Sequence, residues 1–366
     1  MSAAEEGELD YTLSTYEGWR KRAYQSHREK PPALTIAEIN ALTPQERVRY
    51  NNARHVWHAN LGPFITPQMS DVCADLDMIV QSNRQDGDKV RSSPVLDAPP
   101  GMGKTTLVAH YAAGFHREQI ELYGATTKAG HDRVPVAMVS LAGRTTMRGF
   151  NSMLCGFYAH PAANRGSAVE LGRRASLCAR ETETRLIIVD DVHFLNPHTT
   201  DGREVANFFK WMATEFQATI IFVGVGLEKR GLFTEGLSAT DAYLAQTARR
   251  WTRLPLPSLE VSDEASRANL RNLLLGVEDS LVLAKKYRGM LADDLLDYVD
   301  ARCTGSIGSL FTLIMRGCHK AITTGSECLS RSLLDTVKND SAAEQARLKL
   351  EAAVAHGHAG ADSLRK

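Results

Sequence analysis

The chain has 366 residues, of which 43% are hydrophobic, and its 43 basic and 43 acidic side chains give a net charge of zero. This is the composition of an ordinary globular protein with room for two compact units, and no stretch approaches the roughly 18 consecutive apolar residues of a membrane helix. Zero net charge excludes a globally basic footprint for nucleic acid, so any DNA binding must come from a local patch or from assembly.

The N-terminus and the cysteines indicate the compartment. The first ten residues, MSAAEEGELD, are acidic and lack the apolar core of a secretory signal. The six cysteines are scattered without a CxxC pair, which is typical of buried thiols in a reducing cytoplasm and not of a disulfide framework or a zinc site. We therefore expect a cytoplasmic protein with no membrane segment.

Residues 1–55 are polar and are interrupted by Pro31 and Pro32, and we interpret them as an N-terminal arm. They contain a basic cluster with aromatic residues, WRKRAYQSHREK, from Trp19 to Lys30. A charge run of this kind is usually a solvated helix face or flexible arm, and a binding element is the alternative. The next segment, PQMSDVCADLDMIV, has apolar residues at helical spacing.

Strands and helices alternate from about residue 94. A short apolar run, Pro94 to Leu96, precedes a glycine loop and a helix predicted from Thr105 to Phe115. An amphipathic helix is predicted over 205–216. The other predicted strands are Val134 to Leu141, Arg185 to Asp191, Ala218 to Gly226 and Thr252 to Leu256. Apolar strands separated by helices predict a parallel sheet covered on both faces.

The pattern changes after Pro257. Asp263 and Glu264 open a run of helices that continues to about Ala321, which predicts a small all-helical second domain. From about Asn339 the chain is alanine-rich and charged, and we expect its end to be disordered.

The stretch LDAPPGMGKTTLVAHYA resembles a phosphate-binding loop, G-x-x-x-x-G-K-[ST], between a strand and a helix. Its glycines let the backbone turn N–H groups inward, and the helix N-terminus adds partial positive charge. Lys104 can reach the β- and γ-phosphates of ATP, and the Thr105 hydroxyl can ligate Mg²⁺. Ala98 stands where the first glycine is usual. The candidate cofactor-binding residues are Pro100, Gly101, Met102, Gly103, Lys104, Thr105 and Thr106.

A second motif, LIIVDD, supports the first. An apolar strand that ends in Asp190 is how P-loop ATPases present a carboxylate to the magnesium shell. Asp191 is then placed to orient or deprotonate the attacking water. The alternative is a carboxylate pair that faces solvent at the end of a strand. His193 either couples the site to a neighbouring strand or is a packing histidine.

Two arginines, Arg249 and Arg250, stand at the end of a predicted helix before the last strand. In ring-forming ATPases an arginine at this place reaches the γ-phosphate bound by the next subunit. The alternative is an ordinary charged helix end.

The order of the segments APPGMGKTT, VPVAMVSL, LIIVDDVHFL, IIFVGVGLEKRGL, QTARRW and TGSIGSL resembles the AAA+ ATPases of transposition, the TniB/TnsC group, over about residues 50–325. The resemblance implies an α/β P-loop AAA+ sandwich, with three layers around a parallel sheet, followed by a small helical lid. We therefore divide the chain into the arm (1–55), an AAA+ nucleotide-binding core (56–258), the lid (259–336) and a disordered tail (337–366).

The same resemblance implies function. Such proteins bind ATP and Mg²⁺, assemble on double-stranded DNA as rings or helical filaments, and recruit or activate a DDE-type transposase; a separate target-selection protein is a further expected partner. Carried over by position, Thr105 and Asp190 hold the metal and Asp191 serves the water. Arg250 is the preferred arginine finger, and Arg249 is the second choice.

Several positions depart from the wider AAA+ pattern. Ala98 replaces a glycine, Asp191 is one methylene shorter than the usual glutamate, and Val225 stands where a polar residue usually senses the γ-phosphate. The segment TGSIGSL has no arginine where many relatives carry a second sensor. These departures predict slow, switch-like hydrolysis in which bound ATP mainly holds an assembly together.

DNA contacts are expected from the loop after the second strand, AGRTTMRGF. Arg144 and Arg148 could meet phosphates, while Thr145 and Thr146 could add hydrogen bonds. A homo-oligomer multiplies these few contacts, which reconciles a neutral chain with DNA binding. The alternative is a surface loop with two unpaired arginines.

Two other functions compete with a transposition regulator. A signalling ATPase of the STAND kind would normally append long repeats, and a replication-initiator-like loader would add a winged helix. About 45 residues after Ala321 are too few for a domain of typical size, so the sequence favours the transposition regulator.

Overall fold

The computed structural model describes residues 12–26, 28–86, 89, 91–143, 145–194, 211, 218–227 and 251–355. The chain forms two compact units. The first consists of residues 1–26, 68–99 and 104–256, and the second of residues 27–67, 100–103 and 257–366. Each unit is therefore built from segments that are separated in the sequence.

The first unit contains a five-stranded sheet. Its strands lie in the order β2-β3-β4-β1-β5, and every neighbouring pair is parallel. All residues of β3 and β4 are buried, which is the pattern of strands covered on both faces. The predicted α/β fold with a parallel sheet is confirmed. The strands are β1 (Ser93–Asp97), β2 (Val136–Ser140), β3 (Leu186–Asp190), β4 (Thr219–Gly224) and β5 (Trp251–Pro255).

Helices occupy most of the remaining described residues. Among the residues that the structure describes, no helix combines the length and the apolarity of a membrane span. The helices are α1 (Tyr16–Ala23), α2 (Ile36–Ala41), α3 (Pro44–Ala59), α4 (Pro67–Ser82), α5 (Lys104–Tyr123), α6 (Met147–Phe157), α7 (Ala168–Glu181), α8 (Glu264–Ser280), α9 (Leu296–Cys303), α10 (Ile307–Thr324), α11 (Arg331–Leu334) and α12 (Ser341–Ala355).

The helix that follows the glycine loop is longer than the sequence pattern predicts. We expected it to end at Phe115, but α5 continues to Tyr123 and contacts β2, β3 and β4. It ends before Gly124, which has a φ of 81° and whose N–H donates to the carbonyl of Ile120. The glycine terminates the helix because it adopts the left-handed conformation without strain.

The first part of the basic N-terminal cluster, Trp19 to Ala23, lies on a packed helix. On α1, Trp19 is fully buried and its Nε1–H donates to Nδ1 of His116 on α5, at 3.2 Å. Arg117 of α5 donates to the carbonyl of Ala23 at 2.6 Å. Arg20 is exposed. On α1, Arg20 therefore faces solvent, while Trp19 anchors the helix.

Residues 27–67 join the C-terminal helices in the second unit. Arg54 on α3 is buried and forms a bidentate ion pair with Glu327, with NH1 at 2.6 Å and NH2 at 3.0 Å. Trp57 donates from Nε1 to the carbonyl of Ser280 at 2.7 Å. The described residues of the expected N-terminal arm are thus divided between the two units, because α1 and α3 each contribute buried side chains to a different core.

The segment predicted as a disordered tail from residue 337 includes the helix α12. The carboxylate of Glu344 accepts hydrogen bonds from Arg302 at 3.0 Å and from the N–H of Asn339 at 2.7 Å. Ala343 is buried. The helical region therefore extends beyond the predicted lid boundary, because α12 contributes packing and charged hydrogen bonds to the second unit.

The core of the second unit is apolar. It is built around α8, α9 and α10, and the predicted run of helices after Pro257 is confirmed. Asp263 caps α8 by accepting from the N–H of Ser266 at 2.7 Å. Fully buried members of this core include Leu274, Val277, Val299, Leu313, Ile314 and Cys318.

Candidate nucleotide-binding site

The glycine loop connects β1 to α5. Gly101 and Gly103 have φ angles of 76° and 77°, which glycine adopts without the strain imposed by a Cβ atom. Ala98 is buried and is not among the described non-glycine residues with a positive φ. Alanine in place of the usual glycine therefore causes no backbone strain from a positive φ at this position.

The tip of the loop belongs to the second unit. Within that unit the carbonyl of Gly101 accepts a hydrogen bond from the N–H of Gly308, at 2.8 Å, and one from the Ser306 hydroxyl, at 3.2 Å. A Cβ atom on Gly308 would lie 3.2 Å from the Gly101 carbonyl oxygen. The second glycine of TGSIGSL is thus explained by the structure, since Gly308 has no Cβ atom and permits this close backbone approach at the start of α10.

Lys104 is the first residue of α5 and is buried. Its ammonium group donates to the carbonyls of Ala98 at 2.8 Å and Pro99 at 2.7 Å, so the side chain folds back over its own loop. Burial lowers the pKa of Lys104, whereas Asp190 and other nearby carboxylates act in the opposite direction. The ammonium group of Lys104 thus lies at the N-terminus of α5. A helix N-terminus favours anions, and the ammonium group adds a positive charge to the same place.

Thr105 and Asp190 come together across the sheet. The Thr105 hydroxyl donates to Oδ2 of Asp190 at 2.6 Å, and the backbone N–H of Asp191 donates to Oδ1 at 2.8 Å. Asp190 is only 4% exposed, and burial raises the pKa of its carboxyl group. The two predicted metal ligands are therefore within one hydrogen bond of each other.

This donor set suits Mg²⁺. Mg²⁺ is bound in nucleotide sites by one or two protein oxygens, while waters and substrate phosphates complete its shell. A hydroxyl and a carboxylate are hard oxygen ligands of this kind. Among the described residues there is no group of three or more histidine, cysteine and acidic side chains that could form a protein-only metal cage.

Asp191 leaves the line of β3. Its φ is 57°, an uncommon value for a residue with a Cβ atom. Its Oδ2 accepts a hydrogen bond from the Ser140 hydroxyl at 2.9 Å, and its Oδ1 lies 3.9 Å from Nδ1 of His193. The Asp191 side chain is 43% exposed, so it can meet water.

Ser140 is a site residue that the sequence interpretation missed. It is the last residue of β2 and pairs in register with Asp190 of β3. A signal for it was present, because VPVAMVSL has a hydroxyl residue next to its C-terminal leucine and parallel neighbours end at the same edge of a sheet. Recognising it required the knowledge that β2 and β3 are adjacent.

The other predicted nucleotide-site residues differ in exposure. Pro100 and Thr106 are exposed, and Met102 is buried. Val225 follows β4 and is partly exposed. Arg249 and Arg250, the predicted arginine fingers, lie outside the described residues, as does most of the helix predicted over 205–216.

The loop predicted to contact DNA is tied to its own surroundings. Thr146 caps α6 by accepting from the N–H of Gly149 at 3.1 Å, and the Thr145 hydroxyl donates to the carbonyl of Ala142. Arg148 is exposed, and its guanidinium donates to the carbonyls of Gly166 and Asn164, both at 3.0 Å. Arg144 lies outside the described residues.

Comparisons with known proteins agree with this architecture. The family model described as "AAA domain" matches residues 88–233. No curated protein matches the chain. The solved structure of the Aeropyrum pernix ORC1 protein in complex with DNA is similar, with 14% identity and a TM-score of 0.56; the match covers 80% of this chain and 67% of that chain. The structure of the Aeropyrum pernix ORC2 protein in its ADPNP-ADP complexes is also similar, with 14% identity and a TM-score of 0.56; the match covers 77% of this chain and 70% of that chain.

Identities of 14% establish a likeness of fold and nothing finer. Neither the family match nor these structures distinguishes the TniB/TnsC group from other AAA+ proteins. The chain carries an AAA domain and has the P-loop AAA+ fold, in which a parallel five-stranded sheet with helices is joined to a C-terminal helical region.

Proposed function

We propose that the protein is an ATP-dependent, DNA-binding regulator of DNA transposition. It binds ATP with Mg²⁺, oligomerises on double-stranded target DNA as a ring or helical filament, and recruits or activates a DDE transposase, which a target-selection protein can direct. The observation that carries the nucleotide part is the 2.6 Å hydrogen bond between Thr105 and Asp190. The transposition part rests on the order of the sequence motifs.

The residues of the loop would bind the triphosphate. The turns at Gly101 and Gly103 and the N-terminus of α5 provide N–H groups for phosphate oxygens. Lys104 would exchange its two carbonyl acceptors for phosphate oxygens, which removes the charge imbalance of a buried ammonium group. When bound, Mg²⁺ would supply positive charge that neutralises the negative charge developing on the phosphates during transfer. Thr105 and Asp190 would hold it.

Hydrolysis would depend on Asp191. Its carboxylate is partly exposed and is oriented by the Ser140 hydroxyl, so it can accept a hydrogen bond from an attacking water. Aspartate reaches less far than glutamate. We therefore propose slow turnover, with ATP binding as the main signal for assembly.

The site would be completed by a second copy of the chain. Arg250, with Arg249 as the second choice, would reach the γ-phosphate bound by the neighbouring subunit. This arrangement makes oligomerisation depend on ATP, and it lets a neutral chain bind DNA through contacts that are repeated along an assembly. The loop 142–150 would supply contacts to duplex DNA in each subunit.

A replication-initiator-like loader is the second candidate. One observation favours it, namely the likeness in fold to an ORC1 protein whose structure contains DNA. A loader and a transposition regulator share ATP-dependent DNA binding and differ in the protein that they recruit.

Electron microscopy of the full chain with linear duplex DNA and a non-hydrolysable ATP analogue tests the proposal. We expect nucleotide-dependent rings or filaments on DNA, and none with the Lys104→Ala variant. Monomers that are unaffected by nucleotide and DNA would overturn the assembly proposal. Addition of a DDE transposase separates the candidates, since a loader would neither retain it on the DNA nor change its activity.

A further inference from the structure

A surface lined by basic side chains lies in the helical unit, and none of its residues has been assigned to the nucleotide site or to the loop 142–150. It is a cleft of about 470 Å³ beside the C-terminal half of α10 and the segment before α12. We call it the basic cleft. The side chains that define it are Arg316, His319, Lys320, Thr323, Thr324 and Lys338.

The basic cleft follows one face of a helix. Arg316, Lys320 and Thr324 are spaced by four residues, so they lie on successive turns of α10. Lys338 faces them from the connecting segment. Among the described residues that line the cleft there is no acidic side chain. The cleft therefore presents the positive charges of Arg316, Lys320 and Lys338, and the Thr324 hydroxyl extends this polar face to roughly two turns, or about 12 Å, of helix.

The cations are held in place by backbone carbonyls. Arg316 donates to the carbonyls of Lys338 at 2.8 Å and Asn339 at 3.1 Å, and Lys320 donates to that of Thr336 at 3.2 Å. A guanidinium group has five N–H donors and an ammonium group has three. These bonds therefore fix the two side chains. Within the part of the chain that the structure describes, further N–H groups of both side chains remain for an anion in the cleft.

Neighbouring carboxylates are engaged elsewhere. Asp335 accepts from the Tyr298 hydroxyl at 2.9 Å and lies 3.9 Å from Arg302. Asp340 accepts from the N–H groups of Ala342 and Ala343 at 3.1 and 3.0 Å, and also from the Ser309 hydroxyl. The carboxylates on either side of Lys338 in the chain thus contact groups that do not line the cleft.

We propose that the basic cleft binds the phosphate backbone of double-stranded DNA. The inference rests on the proposed function for the presence of DNA, and it adds a binding surface in the helical unit. Arginine, lysine and threonine are residue types that contact phosphates in protein–DNA complexes. The lining also includes the buried Val337 and the imidazole of His319, so a docked acidic protein segment is the occupant that the test has to separate from DNA.

Lys338 gives a sharp test. It is exposed, so its replacement does not disturb the core. We compare Lys338→Glu with Lys338→Arg, which keeps the charge, and with Lys349→Glu, an equal charge change at an exposed position of α12. Binding of a fluorescent mixed-sequence duplex to the full chain with an ATP analogue is followed by anisotropy at several salt concentrations.

Lys338→Glu should weaken duplex binding by about three- to tenfold and lower the slope of log affinity against log salt by about one. Lys338→Arg and Lys349→Glu should bind like the unaltered chain. If Lys338→Glu binds like the unaltered chain, the basic cleft is not a DNA surface, although the proposed function stands.

Two other outcomes overturn the inference. If the unaltered chain does not bind the duplex with nucleotide, the cleft and the DNA-binding part of the proposed function both fail. If it binds labelled poly-L-glutamate but not the duplex, and Lys338→Glu removes that binding, the cleft serves an acidic protein partner.

Discussion

Thr105 and Asp190 show how two short polar side chains on an apolar framework form the candidate nucleotide site. They come from the start of α5 and the end of β3, 85 positions apart, and they share one hydrogen bond. The bond satisfies a carboxylate that is almost fully buried, which a protein interior otherwise disfavours. The same two side chains carry the hard oxygen ligands that the proposed Mg²⁺ site requires.

Asp190→Asn tests this pairing. The amide keeps an acceptor for Thr105 but loses the negative charge that a metal requires. Mg²⁺ increases the ATP affinity of the unaltered chain by some factor, and we expect this factor to be about tenfold smaller, or less, in the variant. Titration of a fluorescent ATP analogue with and without Mg²⁺ measures the difference. The affinity without Mg²⁺ serves as the control. Equal stimulation by Mg²⁺ in both proteins would show that Asp190 is not a metal ligand.

Ser140→Ala tests the orientation of Asp191. Loss of the 2.9 Å hydrogen bond frees the carboxylate to rotate, so the rate of ATP hydrolysis should fall by about three- to tenfold with little change in ATP affinity. Steady-state kinetics separate the two effects. Ser140→Thr keeps the hydroxyl and should retain most of the activity. A Ser140→Ala enzyme with undiminished turnover would remove Ser140 from the site.

At the scale of elements, a buried carboxylate stabilises the turn after α8. Glu278 is 3% exposed and accepts from the N–H groups of Gly289 at 2.8 Å, Leu291 at 2.5 Å and Ala292 at 2.8 Å. Three backbone donors satisfy the charge, and they hold the segment 289–292 against the helix. The helical unit therefore depends on a polar contact inside an apolar core.

Glu278→Gln should destabilise the protein by about 2–3 kcal/mol, because the amide replaces charge-assisted hydrogen bonds and places its own N–H₂ group against backbone donors. The shift of the urea midpoint measures the change. Glu264→Gln, an exposed position in the first turn of the same helix, should change stability by less than about 1 kcal/mol. Equal effects of the two substitutions would contradict the role of Glu278.

Element boundaries could be predicted where local chemistry sets them. The Asp263 cap starts α8, and continuous apolar residues specify β3 and β4. The start of α12 within the expected tail could not be predicted from composition. The helix gains stability because Glu344 accepts a hydrogen bond from Arg302, which lies 42 positions earlier in the chain. Alanine-rich charged segments have the same composition whether or not they find such a partner.

At the scale of the whole molecule, two buried histidines among the described residues, one in each unit, couple folding to pH. His116 in the first unit and His58 in the second are nearly fully buried, and burial lowers the pKa of each to about 4, with Arg117 and Arg54 respectively acting in the same direction. His116 accepts the Trp19 hydrogen bond, and His58 accepts one from the N–H of Val282 at 3.0 Å. Both bonds require a neutral ring nitrogen.

Stability should therefore fall as the pH is lowered from about 6.5 to about 4. In that window the unfolded chain binds a proton at each histidine and the folded chain does not, so each can contribute a slope of up to about 1.4 kcal/mol per pH unit. Thermal melting between pH 7 and pH 4.5 measures it. His116→Gln should flatten the profile, whereas His131→Gln, at an exposed position, should leave it unchanged. A His116→Gln profile as steep as that of the unaltered chain would contradict the assignment.

The sequence by itself determined the parallel sheet, the glycine loop and the strand-end carboxylates, because each is encoded by neighbouring residues: apolar runs that must be buried, glycines at turns with positive φ, and polar residues where strands end. Only the tertiary structure decided which distant groups meet. Trp19 finds His116 across 97 positions, Ser140 finds Asp191 across 51, and Arg54 finds Glu327 across 273. These pairs fix the N-terminal helices in two different units and orient the water-facing carboxylate. No local pattern specifies them, since each depends on which elements pack side by side.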